Sequence, residues 1–271
     1  MFGDINWDLK DVLKLPVVSG VDDEWCLGEL AGVLEQAQQA AAEECMWRNS
    51  DGAVHICLSG GLDSTLGLAF VRRAFPETRI VAHTIAISDG HADLVHAKLA
   101  AKAFGVEHRI VVPAQMELDE MLERGKLRSA GVHLLYDALE YESVRCVIAH
   151  DGIDELMGGY WGHRAFVDPV LKRGEFELHW DRLFSDHLEQ LQSVASRAGV
   201  VVVLPYLVRE VVEYIARIPL NERTDRAESK KPLRSLARML GVPQEIVARQ
   251  KLGFCDAMVA NERTTGVAVA R

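Results

Sequence analysis

The sequence predicts an α/β protein: a parallel sheet covered by helices on both faces, followed by a mostly helical C-terminal half. Three observations lead there. Up to about residue 150, short apolar runs alternate with helix-length amphipathic stretches; strands that read as continuous apolar runs belong in parallel sheets buried on both sides. The first run ends in Ser59-Gly60-Gly61-Leu62-Asp63-Ser64-Thr65 and the fourth in His150-Asp151-Gly152-Ile153-Asp154-Glu155, so polar and acidic residues collect where strands end. Beyond about residue 156 the apolar spacing becomes that of helices.

Residues 1–25 read as an irregular, acidic N-terminal extension with one short amphipathic piece at 9–13, and residues 26–271 as one domain. Its α/β core covers about 26–160 and its helical part about 161–271. Leu27, Leu30, Leu34, Ala37 and Ala41 recur on one stripe, predicting a helix over 26–48 that ends in the Asn49-Ser50-Asp51-Gly52 turn. The first strand is 53–58, followed by a helix over 63–74 closed by Phe75-Pro76. A second strand is read at 79–86, an amphipathic helix at 93–104 ending on Gly105, and a third strand at 108–113. Helices near 115–124 and 131–141 precede the fourth strand at 144–149. The remaining predicted helices cover 176–198, 207–217, 231–240 and 243–249.

With 271 residues the chain can bury a substantial core. Its net charge of −10, from 40 acidic and 30 basic residues, argues against a nucleic-acid binder that relies on a basic surface. No apolar run approaches the ~20 residues that span a bilayer. The start, Met1-Phe2-Gly3-Asp4, lacks the basic and apolar regions of a signal peptide. The five cysteines are scattered, without a C-x-x-C pair, which points to a reducing cytoplasm. Cys57 and Cys146 fall in predicted strands and read as small buried hydrophobes.

A strand that turns through Gly60-Gly61 into a helix aims backbone N–H groups at one spot, the positive end of the helix dipole. Glycine lets the backbone approach an anion closely. Ser59, Ser64 and Thr65 add hydroxyls. Asp63 is a carboxylate beside a phosphate site, so it calls for a cation, and Mg²⁺ on a nucleotide is the natural one. Neither G-x-x-x-x-G-K-[ST] nor G-x-G-x-x-G occurs. The bland alternative is a Gly-Ser turn that ends a strand; the strand before and the helix after weigh against it. The acids Asp151, Asp154 and Glu155 could likewise be a solvated helix start. Beside the glycine loop, Asp63 and Asp154 could hold one Mg²⁺ between them.

The S-G-G-x-D-S segment after a strand resembles the pyrophosphate loop of the ATP pyrophosphatases, enzymes that cleave ATP to AMP and pyrophosphate. His150-Asp151-Gly152-Ile153-Asp154-Glu155-Leu156-Met157-Gly158-Gly159-Tyr160 is similar to the S-G-[ED]-G-x-D-E-[LVI]-x-G-G-Y stretch of the asparagine synthetase family's synthetase domain. Leu204-Pro205-Tyr206-Leu207 resembles that family's V-P-[FY]-L, Ser229-Lys230-Lys231-Pro232-Leu233-Arg234 its T-K-x-x-L-R, and Arg249-Gln250-Lys251-Leu252-Gly253-Phe254 its R-x-K-x-G-F. The motifs occur in family order. The resemblance implies a Rossmann-like fold of the adenine nucleotide α-hydrolase type, with ATP and Mg²⁺ as cofactors. It places Ser59, Gly60, Gly61, Asp63, Ser64, Ile85 and Gly152 at the nucleotide and Asp63 and Asp154 at the metal. Lys251, Lys230 and Asp151 become the catalytic residues, with Lys231 an equally near alternative to Lys230.

The departures narrow the reading. Ala149-His150 replaces the family's Ser-Gly, and Asp151 replaces its usual Glu. Val201 and Val203 stand where the family commonly has Glu and Arg, and Val208 where it has Asp, which weakens the case for aspartate as substrate. His150 reads either as part of a changed acceptor site or as a satisfied structural residue. Glutamine-dependent members begin with a catalytic Cys; here residue 2 is Phe2, and about 50 residues precede the loop, too few for a glutaminase. The resemblance therefore implies an amide-forming ligase that adenylates a small carboxylate and uses ammonia, an amine or a separate glutaminase or amine-donor subunit. A homo-oligomer is left open. The competing readings are sulfur or amine transfer to a non-aspartate acceptor, with Cys255 as carrier, and a catalytically silent ATP-binding partner subunit.

Overall fold

The computed structural model describes residues 9–19, 24–86, 90–114 and 127–249. The predicted helix over 115–124 lies outside the described residues. A short helix α1 (Leu9–Val12) precedes the long helix α2 (Leu27–Arg48). There follow β1 (Val54–Cys57), α3 (Leu62–Ala74), β2 (Ile80–Ile85), α4 (Ala92–Ala103), β3 (Glu107–Val111), α5 (Leu127–Tyr141) and β4 (Cys146–Ile148). The second half contains α6 (Ile153–Met157), α7 (Trp161–Ala165), α8 (Pro169–Leu183), a π-turn (Phe184–Leu188) and α9 (Glu189–Arg197). Then come β5 (Val201–Val203), a 3₁₀ turn (Pro205–Leu207), α10 (Arg209–Arg217), α11 (Leu220–Arg223), α12 (Lys231–Met239) and α13 (Gln244–Ala248).

The five strands are all parallel and ordered β3-β2-β1-β4-β5. Parallel strands need crossovers, and crossovers are right-handed. The chain moves one way from β1 to β3 and the other way from β4 to β5, so its helices are split between the faces. Helices α2 and α4 cover one face, with α3 beside α2; α5 and α9 cover the other. The order reverses between β1 and β4, and ligands in such sheets lie in the crevice at the carboxyl ends of the strands at that reversal. The glycine loop follows β1 and the acidic motif follows β4, so the topology places both at this crevice.

Strand β5 is an addition to the mostly helical C-terminal half that the sequence predicts. Val201, Val202 and Val203 pair with Cys146, Val147 and Ile148 at the sheet edge, and Val203 is buried. Val201 and Val203, read from sequence as part of a changed substrate surface, are thus strand residues, whereas Val208 sits between the 3₁₀ turn and α10. Cys146 is buried in β4 with its Sγ 3.1 Å from that of Cys45, whereas Cys57 is partly exposed.

A fully buried arginine ties the helical half to the core. Arg223 donates to the carbonyls of Ile218, Val17, Leu156 and Ala216 at 2.7 to 3.0 Å and lies over the Phe176 ring. Burial pushes its guanidinium down to about 9, and the four carbonyls satisfy its donors in place of solvent. Among the described residues no helix is long and apolar enough to cross a membrane.

Candidate active site

The glycine loop is closed by its own serines. The Ser59 and Ser64 hydroxyls are 3.0 Å apart, Ser59 N–H donates to Ser64 Oγ at 3.2 Å, and Gly61 N–H donates to Ser59 Oγ at 3.3 Å. This turn sits on the N-terminus of α3, a helix of 13 residues whose leading N–H groups form an anion site. Gly60 has φ +70°, and a Cβ there would stand 2.4 Å from Ala97 N and 2.6 Å from Asp93 O. The loop is therefore pressed against the α4 backbone at a place only glycine fills. Arg249 holds it from outside, donating from Nη1 to the Gly60 carbonyl at 3.2 Å and from Nη2 to Asp93 Oδ1.

Across the crevice, Lys230 Nζ lies 2.5 Å from Asp63 Oδ2 and 2.5 Å from Asp154 Oδ1. The lysine is 3% exposed. Burial alone would push its ammonium down; the charges and hydrogen bonds of Asp154 and Asp63 outweigh that and hold it above the ordinary lysine value. Lys231 points elsewhere, to Asn221 O at 2.8 Å and Asp225 Oδ2 at 3.0 Å, so of the two adjacent lysines Lys230 is the one at the crevice. Asp63 and Asp154 lie in the first turns of α3 and α6 with side chains 19% and 15% exposed.

The remaining motif residues are braces. The Tyr206 hydroxyl donates to the Asp63 carbonyl at 3.0 Å, fixing the start of α3 from a position 143 residues away. Leu207 packs on Gly152, the residue before α6. Arg234 donates to Ser229 O at 2.7 Å, to Val247 O, and to Arg249 O at 3.2 Å, so it fastens the turn that presents Lys230 to the segment that ends in Arg249. The sequence displayed these residues inside motifs but gave no sign of their partners. Gly159 is a close-approach position: a Cβ there would fall 1.7 Å from Asp154 Oδ1 and 2.8 Å from Lys230 Cε. Gly159→Ala should displace the Asp154–Lys230 pair, with a stability cost of about 1–3 kcal/mol and loss of most turnover. A urea titration beside a turnover assay checks both.

The other sequence-predicted positions are placed as follows. Ile85 is buried at the end of β2. Asp151 Oδ1 lies 2.5 Å from His187 Nε2, a partner the sequence did not suggest. His150 packs against the Tyr206 ring, with Nε2 3.3 Å from Gln38 Oε1; burial pushes it down to about 4, so it is neutral at pH 7. Lys251 and Cys255 lie outside the described residues.

The carboxylates suit a magnesium ion that is shared with a nucleotide. Among the described residues no group of three or more His, Cys, Asp or Glu could hold a metal by itself. Mg²⁺ characteristically takes one or two carboxylates and completes its shell with phosphate and water oxygens. Asp63 and Asp154 already converge on one cation, and a Mg²⁺ held by this pair would share them with Lys230.

A phosphate-type loop at the switch point of a parallel sheet, facing an acid pair and a buried lysine, defines a nucleotide-site architecture. The asparagine synthase family profile matches residues 33–183 and 171–268. The chain belongs to the asparagine synthase family. It is 24% identical over 229 residues to a probable glutamine-hydrolyzing asparagine synthetase of Acanthamoeba polyphaga mimivirus, which covers 79% of this chain and 41% of the relative. It is 28% identical over 185 residues to a putative glutamine-hydrolyzing asparagine synthetase of Methanocaldococcus jannaschii, covering 62% of this chain and 33% of that one. The chain thus spans less than half the length of either relative. Among solved structures it is similar to NMN synthetase from Francisella tularensis, with 15% identity, TM-score 0.45 and coverage of 83% and 75%. It is also similar to NAD⁺ synthetase from Burkholderia pseudomallei, with 18% identity, TM-score 0.39 and coverage of 95% and 81%.

Proposed function

We propose that the chain is an ATP-dependent ligase that releases AMP and pyrophosphate, adenylates a carboxylate and converts it to an amide with ammonia or an amine as nucleophile. The observation that carries the proposal is the convergence of Asp63 and Asp154 on buried Lys230 beside the serine-closed glycine loop. In this reading the loop N–H groups and the α3 N-terminus bind the phosphates that depart as pyrophosphate. Mg²⁺, when bound by Asp63 and Asp154, would neutralise charge on those phosphates. Lys230 holds the two aspartates in place and adds a fixed positive charge where negative charge builds up. Lys251, two residues after the Arg249 clamp, is assigned the matching role on the adenylate. The nitrogen comes from free ammonia, an amine on the substrate or a separate subunit, and the working compartment is the cytoplasm.

Incubation with ATP, MgCl₂, ammonium chloride and, in turn, L-aspartate, L-glutamate and succinate is expected to yield AMP and pyrophosphate with at least one acid. Chelation of Mg²⁺ by EDTA is expected to stop it. Formation of ADP and phosphate would refute the proposal, and so would the absence of ATP turnover with every acid. Lys251→Ala should lower turnover far more than ATP affinity, since its assigned role is in the transition state; equal losses in both would remove it from that role.

A further inference from the structure

The helix that carries His187 changes its winding at that residue. Along its buried stripe, Phe176, Trp180 and Leu183 follow at steps of four and three, whereas the next buried residues are Leu188, Leu191 and Val194. The five-residue step from Leu183 to Leu188 coincides with the π-turn Phe184–Leu188. Such turns are rare and accumulate at functional sites. In an unbroken α-helix His187, four residues after Leu183, would share the core-facing stripe. The extra residue takes it off that stripe, and its side chain is 45% exposed while its Nε2 lies 2.5 Å from Asp151 Oδ1. Asp151 leaves the sheet at the level of the glycine loop. Ile56 and Ile148 are register partners on adjacent strands, and Ser59 and Asp151 each follow three residues later; neighbouring strands are ~4.8 Å apart. Among the ionisable groups that feel the Asp151 charge, Cys57, Tyr136 and Tyr160 are pushed up and the neighbouring His150 is pushed down to about 4, each chiefly by burial, so all four stay neutral at pH 7. An aspartate reaches only a short way from a strand end, and the partly exposed imidazole carries a basic group beyond that reach.

We propose that His187, oriented by Asp151, is the proton acceptor for the nitrogen nucleophile in the amide-forming step. The inference rests on the ligase reading. The nitrogen lone pair attacks the carbonyl carbon of the acyl adenylate, forming the C–N bond. One N–H proton passes to the imidazole, and the bond from the carbonyl carbon to the phosphate oxygen breaks, AMP leaving with the electron pair. The imidazolium, stabilised by Asp151, then returns the proton to solvent. Adenylation itself involves no such proton, so the two halves of the reaction should respond differently to loss of the ring.

The test compares native protein with His187→Gln, using whichever of L-aspartate, L-glutamate and succinate supports pyrophosphate release. ATP–pyrophosphate exchange should stay within about twofold of native while amide formation from ammonium falls about a hundredfold or more. In His187→Ala, added imidazole should restore amide formation. A native rate of amide formation in the variants, or exchange and amide formation falling together, would overturn the role of His187 and leave the ligase reading standing. Failure of native protein to release pyrophosphate with any of the acids would overturn both.

Discussion

Lys230→Met is expected to abolish turnover and to lower stability by about 3–5 kcal/mol, because removing one partner of a buried ion pair leaves charge uncompensated. Two carboxylate oxygens each lie 2.5 Å from its Nζ, and the side chain is 4% exposed, so water can do little in its place. Methionine fills much the same volume as the lysine stem, which makes the lost charge, rather than a cavity, the cause. Neutralising a carboxylate as well should return part of the stability without returning activity. The double variant Lys230→Met with Asp154→Asn is therefore expected to be more stable than Lys230→Met alone and equally inactive. Urea unfolding of the two variants separates these effects, and native-level turnover by Lys230→Met would show that the lysine has no part in the reaction.

The second large effect is expected at the loop itself. In Gly60→Ala the new methyl group would meet Ala97 N at 2.4 Å and Asp93 O at 2.6 Å, both backbone atoms that cannot swing aside. The left-handed φ adds about 1–2 kcal/mol and overpacking typically about 1–3 kcal/mol. The loop has to lift from α4, which breaks the Arg249 contact to the Gly60 carbonyl and misplaces the N–H groups proposed to bind phosphate. ATP affinity, read by calorimetry, should fall with stability. Gly32→Ala in α2 is the control. Nothing lies within 4 Å of its Cβ position, so it should leave ATP binding unchanged and raise stability by about 0.5–1 kcal/mol. Native ATP affinity in Gly60→Ala would remove the loop from the nucleotide site.

Both predictions concern groups that were visible in the sequence, whereas the partners that give them their weight were not. Strands β1, β2 and β4 and most of the helices were legible because burial on both faces leaves continuous apolar runs and one-sided helices leave stripes; β3, at the sheet edge, is only partly covered. Strand β5 was missed although Val200-Val201-Val202-Val203-Leu204 is an apolar, β-branched run bounded by Gly199 and Pro205, because Val201 and Val203 were read against the family's polar positions. Their aliphatic character was therefore assigned to substrate recognition instead of to the sheet edge. Asp63 and Asp154 were legible as acids at helix starts, but their shared contact to Lys230 was not, since it joins residues far apart in the chain. Lys230 and Lys231 were equivalent in sequence; a left-handed backbone at Lys230, φ 54°, directs one inward and the other to Asp225. The bracing roles of Tyr206, Arg234 and Arg249 depend on contacts made through the folded crevice and had no local signature. For His187 a signal did exist. The five-residue step from Leu183 to Leu188 in an otherwise regular stripe is the trace of a π-turn, and it can be sought in other chains.

The account holds that ATP energy enters through a bond between its α-phosphate and an oxygen of the acceptor carboxylate. The direct measurement is isotope transfer: a carboxylate acid labelled with heavy oxygen is turned over with ATP, Mg²⁺ and ammonium, and the mass of the AMP is read. The account predicts AMP that carries a heavy oxygen taken from the acid. AMP of ordinary mass formed alongside amide, or label appearing in inorganic phosphate, would contradict it.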